Sequence, residues 1–324
     1  MLSLHAKDLI YYILLIAVIL LLSIVACAFG SVDILSLSET DKYILYNIRL
    51  PRVLMCLITG STLSVCGCAY QAVFKNPLSD PYILGVSSGA SLGAALAIVF
   101  GIDFLLLGVT LSAFITALLT VFVIMRLSRV GNRMHTTTLL LAGISMNFLI
   151  SALISIIVFI DKEDMEKIYF WTMGSFSGIN YKDILITFCI SLVGIVVISL
   201  YAKRLNILLM GDIQATSLGI NVEKTKRTIL IISTLMTAAV VSQTGVIGFV
   251  GLVVPHIVRL LVGSDNKRII PFSLLGGMIF MLLADIIARN IAAPSELPIG
   301  CITSLIGAPF FIYLLYNAKK KLHF

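Results

Sequence analysis

Charge is what this sequence has least of. Only 12% of its 324 residues are Asp, Glu, Lys or Arg, about half the share of an ordinary soluble domain. Several chemistries have no residues to carry them. No GxxxxGK[ST] segment occurs, so the chain has no phosphate-cradling loop of that type. The four histidines, His5, His135, His256 and His323, are scattered and form no HExxH pair. The six cysteines make no CxxC and all fall inside apolar runs, the placement of packed thiols, not of disulfides or zinc ligands. No metal site is expected. No nucleophile, histidine and acid set is recognisable, so the chain is not read as an enzyme. Nothing in it suggests a nucleic-acid partner.

What is present is hydrocarbon. Hydrophobic residues make up 59% of the chain and the mean hydropathy is +1.08. The apolar residues fall in repeated runs near the roughly 20 residues that a bilayer core requires. Ten spans are predicted, at about 9–29, 53–74, 84–102, 104–126, 137–160, 183–202, 227–246, 249–263, 269–288 and 297–317. The first is too long for a signal-peptide core and lacks a small-residue cleavage pattern, so it reads as a retained helix. The span at 249–263 is the shortest, and Pro255 interrupts it. Residues 165–174 are amphipathic and too short to cross, so they are expected to lie as a surface helix. The whole chain, 1–324, reads as one all-α integral membrane domain.

Orientation follows from the basic residues. With ten spans and an internal N-terminus, sixteen of the 23 Lys and Arg fall on the inner side and seven on the outer, in accord with the positive-inside rule. Both termini are then cytoplasmic, and the basic stretches 203–227 and 319–321 share one side. Two halves of five helices would insert in opposite senses, the arithmetic of an inverted repeat. In the sequence that repeat is faint: Asn76, Ser79-Asp80-Pro81 and Gly85 loosely echo Asn290, Pro294-Ser295-Glu296 and Gly300.

Certain residues stand out chemically. Arg49 and Arg52 flank a predicted outer helix start, where they could snorkel to headgroups or pair with carboxylates of a partner. Arg289 lies near the outer end of the ninth span, four residues after Asp285, so an intrahelical pair is equally open. Pro77 and Pro81 break the chain after the second span. Gly85, Gly89 and Gly93 repeat at helical spacing and form a flat ridge for a neighbouring helix, in the same protomer or its mate. Gly248 and Gly251 with Pro255 permit close packing or a hinge. The connection 203–227 is long for a link between packed helices. It reads as two short helices around Gly219, with Leu205, Leu208, Leu209, Ile213 and Leu218 as an apolar face.

The segments RLPRVLMCLITG (49–60), NPLSDPYILGVSSGASLG (76–93), YFWTMGSFSG (169–178), LNILLMGDIQATSLGINV (205–222), GFVGLVVPHIVRLL (248–261) and LADIIARNIAAPSELPIGCITSLIGAPFF (283–311) occur in one order along nearly the whole chain. Together they resemble the permease subunit of binding-protein-dependent ABC importers for iron-siderophore, haem or vitamin B12. The resemblance implies a fold like that of the vitamin B12 permease, a type II importer of ten helices with an inverted repeat over helices two to five and seven to ten. It implies that Arg49, Arg52 and Arg289 dock an extracytoplasmic binding protein. Asn76, Pro77 and Leu78, with Thr136 and Thr137, would form a cytoplasmic gate. Gly211, Asp212, Ala215, Leu218 and Gly219, in a segment matching the family's LxLGxxxAxxLGV pattern with Met210 as a variation, would couple to the ATPase. The partners implied are two ABC ATPase subunits holding ATP and magnesium, the binding protein, and a second permease, identical or paralogous. No cofactor is expected on this chain. Ferric siderophore is the expected cargo, with cobalamin or haem as alternatives. An ion-coupled secondary transporter is a more distant one, since nearly every acid lies at a span end.

Overall fold

In a computed structural model, residues 4–28, 39–102, 108–130, 133–292 and 295–322 are described. Phe29, residues 104–107 and Pro294, which the sequence reading assigns to spans or to the repeat, lie outside them. The chain is helical almost throughout. It begins with α1 (Leu4–Ala28) and a short α2 (Glu39–Ile44), which passes through a π-turn at Leu45–Arg49 into α3 (Leu50–Phe74). After a 3-10 turn at Pro81–Leu84 come α4 (Val86–Val99), α5 (Gly108–Leu127), α6 (Thr136–Ile160), α7 (Met165–Met173) and α8 (Tyr181–Leu200). Then follow α9 (Ala202–Leu209), α10 (Asp212–Ser217), α11 (Val222–Thr244), α12 (Val250–Val262), α13 (Asn266–Asn290) and α14 (Ile299–Leu322). Two-residue strands β1 (Arg129–Val130) and β2 (Arg133–Met134) pair antiparallel between α5 and α6.

Seven helices are long and apolar enough to cross a bilayer, and three shorter apolar ones stand at Val86–Val99, Val250–Val262 and Ile299–Tyr313. Together they occupy the ten spans expected from hydropathy. The second span is the one most extended, because its helix runs back continuously to Glu39. Polar caps set several helix starts. Asn180 and Asp183 exchange hydrogen bonds as a capping box for α8, Asn221 accepts from the Lys224 N–H at α11, and Asp265 accepts from Lys267 at α13. Each satisfies N–H groups that the first helical turn leaves without partners.

The core is built on α3, which is buried over nearly its full length. Close approach explains how it is surrounded. A Cβ on Gly60 would collide with the Gly277 carbonyl of α13, and one on Gly67 with the Gly251 carbonyl of α12. Small residues let backbones meet where lipid supplies no hydrophobic drive for helix association. The Gly85, Gly89 and Gly93 ridge packs within the same chain: a Cβ on Gly89 would press on Thr120, and one on Gly93 on Thr116 and Ser112, all on α5. By contrast α1 and α6 stay largely uncovered, and α6 presents Leu141, Phe148 and Phe159 outward.

The two halves repeat a pattern of element lengths. Helices α3 to α6 have 25, 14, 20 and 25 residues, and α11 to α14 have 23, 13, 25 and 24. Each short helix starts from a left-handed residue, Gly85 with φ 71° before α4 and Phe249 with φ 69° before α12. The counterpart of residues 76–85 is therefore 244–249, not the 290–300 stretch that echoes it in sequence. Pro255 lies inside a continuous α12. The interruption falls before the helix, at Gly245–Phe249, and not at the proline.

Candidate functional site

The two breaks meet inside the bundle. The chain leaves α3 through left-handed Lys75 and tightens at Asn76, whose side-chain Oδ1 accepts from the Leu78 N–H at 2.9 Å. It then turns back along α3. Pro81 comes to rest against Gly251, which also abuts the Leu63 carbonyl. Since Leu63 is halfway along α3, the turn re-enters the bundle by roughly 15 Å, at 1.5 Å of rise per residue. There the Tyr82 hydroxyl donates to the Ile247 carbonyl at 3.0 Å, joining the break of one half to the break of the other. Gln71, almost fully buried, adds a second link. Its Nε2 donates to the Gly251 and Leu252 carbonyls, both at 3.4 Å, and its Oε1 accepts from Arg259 at 3.4 Å.

The contact with Gly251 is made by Pro81 and Gln71, while Pro77 and Leu78 of the expected gate stay exposed at the tip of the turn. Gly251 is a packing residue against α3. Gly248 is not, since the nearest atom to a Cβ there would be Ser304 Oγ at 4.0 Å. Thr136 and Thr137 open α6, but no hydrogen bond among the described residues joins them to Asn76–Leu78. The contact between α6 and the turn comes further along, where Gly143 abuts the Ile83 carbonyl and Ser88 donates to Asn147 at 2.6 Å.

At one end of the bundle the segment after α8 forms two short helices, as expected, but the break between them is at Gly211, with φ 125°, while Gly219 (φ 79°) separates α10 from α11. The turn demands a glycine at each point. The apolar face is divided. Leu205, Leu208 and Ala215 are fully buried, anchoring the pair to the bundle, whereas Ile213 is 81% exposed, Met210 64% and Leu218 60%. Asp212 binds Lys75 at 2.7 Å and Lys226 at 2.6 Å, so α10 is tied to the residue directly preceding the Asn76 turn. Burial would raise the Asp212 carboxyl, but hydrogen bonds and charge from Lys226 and Lys75 outweigh it and hold it below the usual carboxylate range. At the same end Asn206 donates to Asp265 at 2.6 Å, and Arg268 pairs with Asp8.

The opposite end gathers the three arginines, and it turns them inward. Arg52 donates from Nε to Asp285 at 2.7 Å and from Nη1 to Glu296 at 2.6 Å. Arg289 Nε stands 3.0 Å from the other Asp285 oxygen, which realises the i,i+4 pair open in the sequence. Arg49 Nη1 donates to the Cys27 and Ala28 carbonyls at 2.9 and 2.8 Å, and Arg289 Nη2 to Ala26 at 3.0 Å. These are carbonyls of the last turn of α1, where the helix dipole is negative and no intrahelical donor remains. All three guanidinium groups are buried, Asp285 is fully so, and Glu296 at 40% is the accessible member. Neither Asp285 as a shared partner nor the α1 carbonyls could be found by spacing, since Arg52 and Asp285 are 233 positions apart.

A many-span helical bundle with two facing helix breaks and an anchored, partly exposed amphipathic segment at one end defines a membrane transport subunit. Comparison makes the class specific. The FecCD transport family matches residues 13–317, and the chain belongs to that family, as the permease subunit of an ABC importer. The permease protein BtuC of the cobalamin import system of Halobacterium salinarum is 41% identical over 283 residues, 87% of this chain and 76% of that one. The hemin transport permease HmuU of Yersinia pestis is 36% identical over 93% of this chain and 95% of its own. An inward-facing metal-chelate type ABC transporter superposes with a TM-score of 0.86 at 32% identity, covering 94% of this chain and 97% of that one.

Proposed function

We propose that this chain carries a ferric siderophore across the cytoplasmic membrane, delivered by an extracytoplasmic binding protein and driven by two ATPase subunits on the opposite face. The observation that carries the coupling is the Lys75–Asp212–Lys226 tie. It joins α10, with Ile213 on it and Met210 and Leu218 flanking it all turned outward, to the turn at Asn76–Leu78. Movement imposed on α10 by a nucleotide-binding partner reaches that turn through two charged hydrogen bonds, and the turn reaches the second half through Tyr82. Alternating access is then a relative motion of two halves about their meeting breaks. The end bearing α9 and α10 is read as cytoplasmic on the bias of its basic residues. The pathway would lie on the two-fold axis between two permease chains.

Docking of a binding protein at the other end involves Arg49, Arg52 and Arg289 through exchange. A carboxylate of the incoming protein replaces Glu296 on Arg52, the one pairing with an accessible acid. Glu296→Gln then removes the internal competitor and is expected to tighten binding-protein association; unchanged or weaker affinity would confine the arginines to an internal role.

The siderophore reading is supported by a Helicobacter pylori permease named for iron chelatin transport, 38% identical over 85% of this chain. Cobalamin is the second reading, supported by the 41% identity to the archaeal permease. Uptake of radiolabelled ferric siderophore, haem and cobalamin by cells lacking only this chain, with and without its restoration, decides among them. Siderophore uptake that persists in the deletion would overturn the proposal.

A further inference from the structure

A groove of about 340 Å3 runs between the ends of α5 and α11 nearest the coupling segment, and three arginines line it: Arg126 and Arg129 from the end of α5, and Arg227 from the start of α11. Its walls are otherwise almost wholly apolar, with Leu118, Phe122 and Ile231 among them, and no carboxylate lines it. None of the ion pairs among the described residues uses any of the three arginines. Phe122 and Ile231 are exposed, so the groove opens on the outer surface of the bundle. Arg126 stands over the Phe122 ring at 5.1 Å from its centroid, which holds the cation at the boundary between the apolar wall and the helix end.

We propose that this groove binds a phospholipid with an anionic headgroup, the phosphate held by Arg126, Arg129 and Arg227 and an acyl chain laid along Leu118, Phe122 and Ile231. Three cations converging at a helix-end boundary supply the charge complementarity. Guanidinium groups suit bidentate phosphate contact, and a basic pocket between membrane helices is a headgroup site by chemistry. A free phosphate would use the arginines but leave the apolar wall unfilled. A neutral lipid would fill the wall but leave the arginines without an anion. An acidic protein surface would approach from beyond the helix ends and leave the groove empty. The site is independent of the cargo, and only its assignment to the cytoplasmic leaflet rests on the orientation proposed above.

Native mass spectrometry of the purified full chain, titrated with dioleoylphosphatidylglycerol or dioleoylphosphatidylcholine, tests it. One phosphatidylglycerol should be retained with at least about tenfold preference, given roughly 1 kcal/mol per basic residue at the membrane surface. The combined variant R126Q/R129Q/R227Q should lose that preference. Leu118→Trp, which fills the groove and leaves the charges, should weaken retention of both lipids. If the triple variant does not fold, Arg129→Gln alone should give a partial loss of preference. Displacement of phosphatidylglycerol by equimolar inorganic phosphate, or an undiminished preference in the glutamine variants, would each overturn the proposal.

Discussion

At the scale of single residues, the most consequential arrangement is the one around Asp285. Its carboxylate is fully buried between Arg52 and Arg289, and removing one partner of such a group leaves uncompensated charge in a low-dielectric interior. Asp285→Ala is expected to cost roughly 3–5 kcal/mol of stability, read as a fall in the thermal unfolding midpoint of the detergent-purified protein. Glu296→Gln removes a pair whose acid is accessible, so its cost should stay under about 1 kcal/mol. A similar loss for both would mean that Asp285 is not the centre of the cluster. Arg49 and Arg52 were legible as arginines on the predicted outer side, against the inward bias of the basic residues, and Arg289 as the residue four positions after Asp285. Their burial was not, because it depends on carbonyls at the end of α1 and on a carboxylate more than 200 positions away, and no local pattern carries that information.

Asp212 gives the residue scale a pH dependence. Its carboxyl titrates below the ordinary aspartate range, so the stabilisation from Lys75 and Lys226 is fully present above the unfolded value of about 3.9. It is lost as pH falls through the lower folded value. Coupling through α10 should therefore be constant from neutral pH down to about 5, and Asp212→Asn should mimic the acid-side loss at neutral pH. The measurement is the ratio of cargo moved to ATP hydrolysed in proteoliposomes holding the complete complex. A fall in that ratio with hydrolysis retained is expected, whereas an unchanged ratio would remove Asp212 from the coupling path.

At the scale of elements, helix contacts divide into those that need glycine and those that do not. Gly67 meets the Gly251 backbone with no room for a side chain, so Gly67→Leu must push α3 and α12 apart, at about 1–3 kcal/mol or more. Gly248 has space around it, and Gly248→Ala should leave the unfolding midpoint unchanged. If that substitution nonetheless slows transport, the break before α12 moves during the cycle; equal thermal losses for the two variants would contradict the packing described. The sequence revealed the Gly85, Gly89 and Gly93 ridge because it recurs every four residues on one helix. Gly60 and Gly67 escaped notice because each meets a glycine on a distant helix. Hydropathy found all ten spans and the breaks between them, but the interruption expected at Pro255 falls at Gly245–Phe249 and the one expected at Gly219 falls at Gly211, because composition is blind to a left-handed Phe249 or to which glycine takes the turn.

At the scale of the whole molecule, side-chain contacts sort the helix ends into two groups, and the sorting agrees with ten alternating spans. Asp8, Lys75, Asn206, Asp212, Lys226, Asp265 and Arg268 meet at one end, while Ala26, Arg49, Arg52, Asp285, Arg289 and Glu296 meet at the other. Dropping or adding one span would break both groups. The first end also exposes Ile213 and Leu218 on a segment whose Leu205 and Leu208 are buried. Apolar side chains so exposed contribute little to the fold of this chain, and on a segment outside the apolar spans they form a contact surface for a partner. The double variant I213S/L218S should therefore unfold at the same temperature as the unaltered chain while failing to co-purify with its ATPase subunit. Loss of thermal stability would assign the two residues to the bundle itself, and retained co-purification would move the energy-transducing contact elsewhere. Because Asp212 adjoins Ile213 and is tied to Lys75 on one side and Lys226 on the other, only the first outcome leaves a continuous mechanical route from that contact to the turn at Asn76 and through Tyr82 into the opposite half.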